Sequence, residues 1–89
     1  TANHFELNEN YPNPFNPETV ISFSVPVASH VMLSVYDLLG RELSSLVDEE
    51  KPPGTYTVRW RPEGVNSGVY FYRLRAGTYT ETKKLTLIK

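Results

Sequence analysis

Apolar residues recur at every second position through most of this chain. Ile21, Phe23 and Val25 alternate with Ser22 and Ser24, and Val31, Leu33 and Val35 alternate with Met32, Ser34 and Tyr36. Tyr56, Val58 and Trp60 keep the rhythm against Thr57 and Arg59; Tyr70, Tyr72 and Leu74 keep it against Val69, Phe71, Arg73 and Arg75. Leu85 and Leu87 repeat it against Lys84 and Thr86. A period of two sends successive side chains to opposite faces of a strand, so each stretch buries one face. No segment sustains a 3.6 period, which limits helix to a single turn. Adding Leu43 with Leu46, and Phe5 with Leu7, gives about seven short strands in 89 residues. The pattern predicts an all-β fold, an immunoglobulin-like antiparallel β-sandwich without regular helix.

The punctuation between strands agrees with hairpins. Asp37-Leu38-Leu39-Gly40 puts Asp first and Gly where a positive φ is wanted, which suits a type I turn closed by a glycine bulge. Ala76-Gly77 marks a second tight reversal. The stretches 48–54 and 62–68 combine Pro, Gly and charge and read as exposed loops at the sheet ends.

The segment 10–19, Asn-Tyr-Pro-Asn-Pro-Phe-Asn-Pro-Glu-Thr, holds three of the seven prolines. Each proline fixes φ near −65° and holds its predecessor, Tyr11, Asn13 or Asn16, out of helix. Lacking amide hydrogens at Pro12, Pro14 and Pro17, the segment cannot be a central strand; it reads as a stiff rod along an edge or across one end. Tyr11 and Phe15 are expected to tuck under the sandwich while the asparagine amides satisfy loop backbone.

A chain of 89 residues has apolar area for one core, so 1–89 reads as one domain, with 1–10 a linker and first-strand region. Without cysteine there is no disulfide framework, thiolate zinc site or thiol nucleophile, and the redox compartment stays open. A net charge of −1 provides no field for nucleic acid or an anionic membrane surface. No apolar run reaches the ~20 residues that span a bilayer, so no membrane insertion is expected. Thr1-Ala2-Asn3-His4 has neither a basic nor an apolar signal region. The abrupt start suggests a piece from the end of a larger protein, any export signal lying outside it.

Catalytic chemistry finds little here. His4 and His30 read as terminal and surface histidines. Gly64-Val65-Asn66-Ser67-Gly68 resembles a nucleophile elbow, but its serine is one place late and no helix follows. Asp48, Glu49 and Glu50 are hard oxygen donors without the alternating spacing of a calcium loop, so they read as solvated charge. Neither a cofactor nor a metal ion is expected. Pro14-Phe15-Asn16-Pro17 matches a P-x-x-P docking peptide only formally. Trp60, Tyr56, Tyr70 and Tyr72 fall on inward sets and read as core, not as a sugar-stacking platform. Tyr36, Phe71 and Met32 face outward and could form a small apolar contact patch.

The C-terminal run carries Lys83, Lys84 and Lys89. Lysines on an edge strand blunt it against aggregation. The same strand, with accessible backbone, is a handle for strand addition or for capture of the terminal carboxylate. The residues alone leave both readings open.

Four blocks in order carry a resemblance: Tyr11-Pro12-Asn13-Pro14-Phe15-Asn16, Val35-Tyr36-Asp37-Leu38-Leu39-Gly40-Arg41-Glu42, Ser67-Gly68-Val69-Tyr70-Phe71-Tyr72 and Lys84-Leu85-Thr86-Leu87-Ile88-Lys89. On these the chain resembles the type A C-terminal sorting domain of the type IX secretion system, found on exported proteins of the Bacteroidetes and related bacteria. The resemblance implies a non-enzymatic address label fused to a cargo domain upstream. It implies recognition in the periplasm by outer-membrane translocon components and, in many members, removal by a sortase-like peptidase at the cell surface, with cleavage in or before 1–10. It also implies that Pro12, Asn13 and Pro14, then Gly68 and Tyr70, then the strand with Lys84, Leu85 and Lys89, carry the signal. The same blocks resemble immunoglobulin-like modules of flagellar hook-capping proteins and domains appended to bacterial glycoside hydrolases, which imply a spacer or assembly element instead.

Overall fold

The computed structural model describes residues 4–15 and 17–88; the expectations for Asn16 and Lys89, and for residues 1–3, lie outside the described residues. Among the described residues there are seven strands and no helix: β1 Glu6–Leu7, β2 Thr19–Val25, β3 Ser29–Tyr36, β4 Glu42–Lys51, β5 Gly54–Trp60, β6 Gly68–Ala76 and β7 Tyr79–Leu87. All neighbouring strands are antiparallel, in a three-stranded sheet ordered β1-β2-β5 and a four-stranded sheet ordered β4-β3-β6-β7. The chain changes sheets after β2, β4 and β5. The immunoglobulin-like sandwich is thus present, with its fourth strand carried by the sheet of β3, β6 and β7.

The period-two reading holds where it was strictest. Ile21, Phe23, Val25, Val31, Leu33, Val35, Tyr72, Leu74 and Leu85 are fully buried between the sheets, and Leu7, Phe15, Trp60, Tyr70 and Leu87 join them. Tyr56 and Val58 pack partly buried against this cluster. Each such aliphatic side chain contributes about 1.5–3 kcal/mol on burial, against the entropy of ordering the chain. Tyr72 keeps its hydroxyl satisfied by donating to the Asn8 carbonyl at 2.7 Å, which ties β6 to the segment following β1. Burial pushes the Tyr72 phenol well above its ordinary range.

Both expected turns form. Gly40 adopts φ 83° and donates to the Asp37 carbonyl at 3.0 Å, while Asp37 donates back to the Arg41 carbonyl. The Asp37 carboxylate also accepts from the backbone N–H groups of Arg41 and Leu39, each at 2.9 Å, and from Arg41 Nε at 2.8 Å. These bonds, that from the Arg41 backbone foremost, hold its pKa below the ordinary value. At the other reversal Ala76 pairs with Tyr79 across Gly77-Thr78, with Gly77 at φ 60° and no positive φ at Thr78, the signature of a type II′ hairpin.

Three expectations need correction. The 48–54 stretch is not a loop: β4 runs to Lys51, with Asp48, Glu49, Glu50 and Lys51 opposite Met32, Val31, His30 and Ser29. Pairing with β3 holds this charge-rich run extended, and only Pro52 and Pro53 remain as the connection. The strand that Leu43 and Leu46 mark is β4, where Leu46 packs partly buried against the core and Leu43 is exposed. The register passes from Val47 to Ser45 and from Ser44 to Glu42, so both leucines are the extra residues of bulges. Tyr11 does not tuck under the sandwich; it is 79% exposed, while Phe15 is 1% exposed. The outward patch is divided, since Tyr36 faces Phe71 and lies 4.6 Å beneath the Arg73 guanidinium, whereas Met32 sits four residues away beside Arg75.

Candidate functional site

The proline-rich segment crosses from one sheet to the other. Tyr11 makes two backbone bonds with Val20 of β2, each 2.9 Å. Phe15 then bridges in parallel to Leu87 of β7: its N–H donates to the Thr86 carbonyl and its carbonyl accepts from Ile88 N–H, both at 3.0 Å. Between these anchors, where the Tyr11–Pro12 and Asn13–Pro14 peptide bonds are cis, the segment forms a strap from β2 to β7. The strap is held from within by Asn10. Its buried amide donates to Thr19 Oγ1 at 2.9 Å and to the Pro12 carbonyl at 3.2 Å, and Thr19 Oγ1 donates to that carbonyl at 2.9 Å.

Pro12, Asn13 and Pro14 are all exposed on this strap. Asn13 is not idle there: its Oδ1 accepts the Thr86 N–H at 3.1 Å, giving this outward-directed edge donor a partner.

On its other side the same part of β7 pairs with the start of β6. Gly68 is opposite Leu87, Val69 opposite Thr86 and Tyr70 opposite Leu85. Gly68 sits at φ 154° where the loop enters the strand, a conformation that L side chains rarely adopt, although a Cβ there would meet nothing within 4 Å. Tyr70 turns inward and donates its hydroxyl to the Asn66 carbonyl four residues upstream. This is the tyrosine corner at the same strand start as in immunoglobulin-like folds. Trp60 packs between the two sides, its ring 5.7 Å from Phe15 and 6.4 Å from Tyr70.

The three blocks named from the resemblance therefore meet at one end of the sandwich, with the close of β7 between the strap and the start of β6. Leu85 is buried in the core, Lys84 is exposed on the outer face, and Lys89 lies outside the described residues. Beside them an open cleft of about 460 Å³ lies between the β3–β4 turn and the loop preceding β6, with Leu38 and Leu39 exposed on its rim and Gly68 and Tyr70 in its wall.

Toward its start β7 is held by side chains. Phe5 stacks on Tyr79 with ring centroids 5.1 Å apart, and Lys83 Nζ lies 3.3 Å from Glu9 and 3.4 Å from Glu81. The bond to Glu9 foremost raises the Lys83 pKa. Tyr79 donates to the Glu81 carboxylate, which lowers the Glu81 pKa. Burial, and then that carboxylate, push the Tyr79 phenol up to about 12. These contacts were not legible from sequence, because Phe5, Glu9 and Tyr79 carry no local pattern that pairs them.

Among the described residues no three His, Asp or Glu side chains stand where they could hold a metal ion, and no helix is long and apolar enough to cross a membrane. The His30 imidazole lies 2.6 Å from Asp48, both exposed. Gly64 to Gly68 forms the loop into β6, where Ser67 is exposed.

A family described as the secretion system C-terminal sorting domain matches residues 9–89. The comparisons with curated proteins and with solved structures returned no match.

Proposed function

Since the chain belongs to the family of secretion system C-terminal sorting domains, a sorting signal for type IX secretion, we propose that the end where strap, tyrosine corner and last strand meet is what the export machinery reads. The family directs proteins across the outer membrane to the cell surface or the medium, through recognition by the type IX system, and is in general non-catalytic. For this chain the reading is a label without enzymatic activity. It is presented in the periplasm to outer-membrane translocon components, bears a cargo domain upstream, and is a substrate of a sortase-like peptidase after export.

One observation supports this most directly: Asn13 and Thr86, 73 residues apart, share a hydrogen bond at the rim that also holds Gly68 and Tyr70. Within this reading the members of each block act differently. Pro12, Asn13, Pro14 and Lys84 present exposed surface, whereas Gly68, Tyr70 and Leu85 act by holding β6 and β7 in register. Lys89 is proposed as the end of the presented strand.

Export of a reporter fused to the label in a type IX-competent host tests the proposal. Deleting 85–89 should strand the reporter in the periplasm. Because Leu85 and Leu87 are core residues, Asn13→Ala is the sharper variant: it should lower the exported fraction while the circular dichroism spectrum is unchanged. Unaltered export of both variants would overturn the assignment.

A further inference from the structure

The outer edge of β7 is covered over only part of its length. Thr86 and Ile88 direct backbone groups away from β6 and spend them on Phe15 and Asn13. Strand geometry alternates the direction of these groups, so Lys84, Thr82 and Thr80 direct theirs the same way. Among the described residues these meet no backbone or side-chain partner. A regular stretch of sheet edge centred on Thr82 is therefore open, bounded by the strap at one end and the Gly77-Thr78 hairpin at the other.

On the outer face the side chains around this opening share one sign. Arg75 stands opposite Thr80, Arg73 opposite Thr82, and Lys84 lies on the edge itself. None of the three has an ion pair among the described residues, whereas Glu81, the one carboxylate of β7, lies on the inner side, where it and Glu9 neutralise Lys83. Arg73 is turned toward β3 over Tyr36. Arg75 and Lys84 remain, and the small Thr80 and Thr82 leave Arg75 room to reach across one strand spacing of about 4.8 Å.

Building on the sorting reading, we propose that this open edge accepts an extended strand of a partner protein carrying two carboxylates four residues apart on one face. Such a spacing spans about 13 Å, the separation of the Arg75 row from the Lys84 row. Backbone bonds to Thr80, Thr82 and Lys84 supply the attachment, and the two cations select the charge. A second copy is a poorer occupant. Its acidic edge, β4, has the charge, but its neighbouring carboxylates Asp48 and Glu50 stand two residues apart and already face His30, at 2.6 and 3.9 Å.

Titration of the isotopically labelled chain with two capped heptapeptides tests this, one threonine-rich with Glu at the second and sixth positions, the other with Lys there. The Glu peptide is expected to shift the amide resonances of Thr80, Thr82 and Lys84 and to bind about tenfold more tightly than the Lys peptide at low salt. The double variant Arg75→Glu/Lys84→Glu should reverse that preference. Equal response to both peptides, no response to either, or shifts confined to other strands overturns the proposal, and so does self-association through β4 detected by sedimentation. The titration involves no secretion, so its failure leaves the export reading standing, and failed export of the unaltered fusion leaves the titration to be judged alone.

Discussion

The four-stranded sheet has two edges, and they are kept from unwanted pairing by different means. β4 carries Glu42, Asp48, Glu49 and Glu50 in exposed positions and is interrupted by two bulges, so it lacks a long flat ladder. Bulges and charge are local devices, built within the strand itself. β7 is regular over nine residues, and its protection comes from elsewhere in the chain: the strap at Thr86 and Ile88, and Phe5 and Glu9 along its inner side. An edge covered by a distant segment can be covered in part, leaving a defined opening; the bulges of β4 break its ladder between Glu42 and Val47 and leave only a short regular run after them. The comparison teaches why a recognition surface would be placed on β7 and not on β4.

The largest test of that contrast is Trp60→Ala. Trp60 is 6% exposed and backs both Phe15 of the strap and Tyr70 of β6. Its loss should cost about 3–5 kcal/mol, read as a fall in the chemical-denaturation midpoint. On the other edge Leu43→Ser, at a bulge, should change stability by less than about 1 kcal/mol. Comparable losses would mean the two edges are held alike.

Alkaline pH probes the side-chain clasp of β7 without mutation. Tyr79 titrates at about 12 in the folded chain against 10.0 ordinarily, so the folded state retains a proton that the unfolded chain releases. The associated stability is complete below pH 10 and is lost as pH rises through about 12. Ultraviolet titration should show Tyr79 ionising late, and Tyr79→Phe should flatten the alkaline decline; an unchanged decline would remove the clasp from the account.

Asn13→Ala should have a small effect, about 0.5–1.5 kcal/mol, because it removes one exposed hydrogen bond. Its signature is local. Exchange of the Thr86 amide should accelerate while amides of β4 keep their rates, and acceleration along both edges would show that the strap is not the specific cover of β7.

How far these features could be read in advance follows the range of the forces involved. Ile21, Phe23 and Val25, or Val31, Leu33 and Val35, declare their burial by alternation, since the pleat decides side-chain direction within three residues. Asp37 to Gly40 and Gly77 declare their turns because the needed φ is a property of the residue. Leu43 and Leu46 do mark β4, but their places at bulges could not be read, because a bulge shifts the period by one and only the register of the partner strand shows where. Tyr11 and Phe15 looked equivalent beside their prolines, yet one is exposed and one fully enclosed, since their surroundings come from β2, β5 and β7.

The alternation, the turn residues and the lack of any helical period were sufficient to determine two layers of antiparallel sheet, because backbone geometry acts over a few residues at a time. That Asn13 would meet Thr86, that Phe5 and Glu9 would fasten the start of β7, and that the edge at Thr80, Thr82 and Lys84 would stay open were decided only by the packed chain. Those outcomes depend on which distant segments reach the same edge first and exclude others from it, and no local pattern encodes that competition.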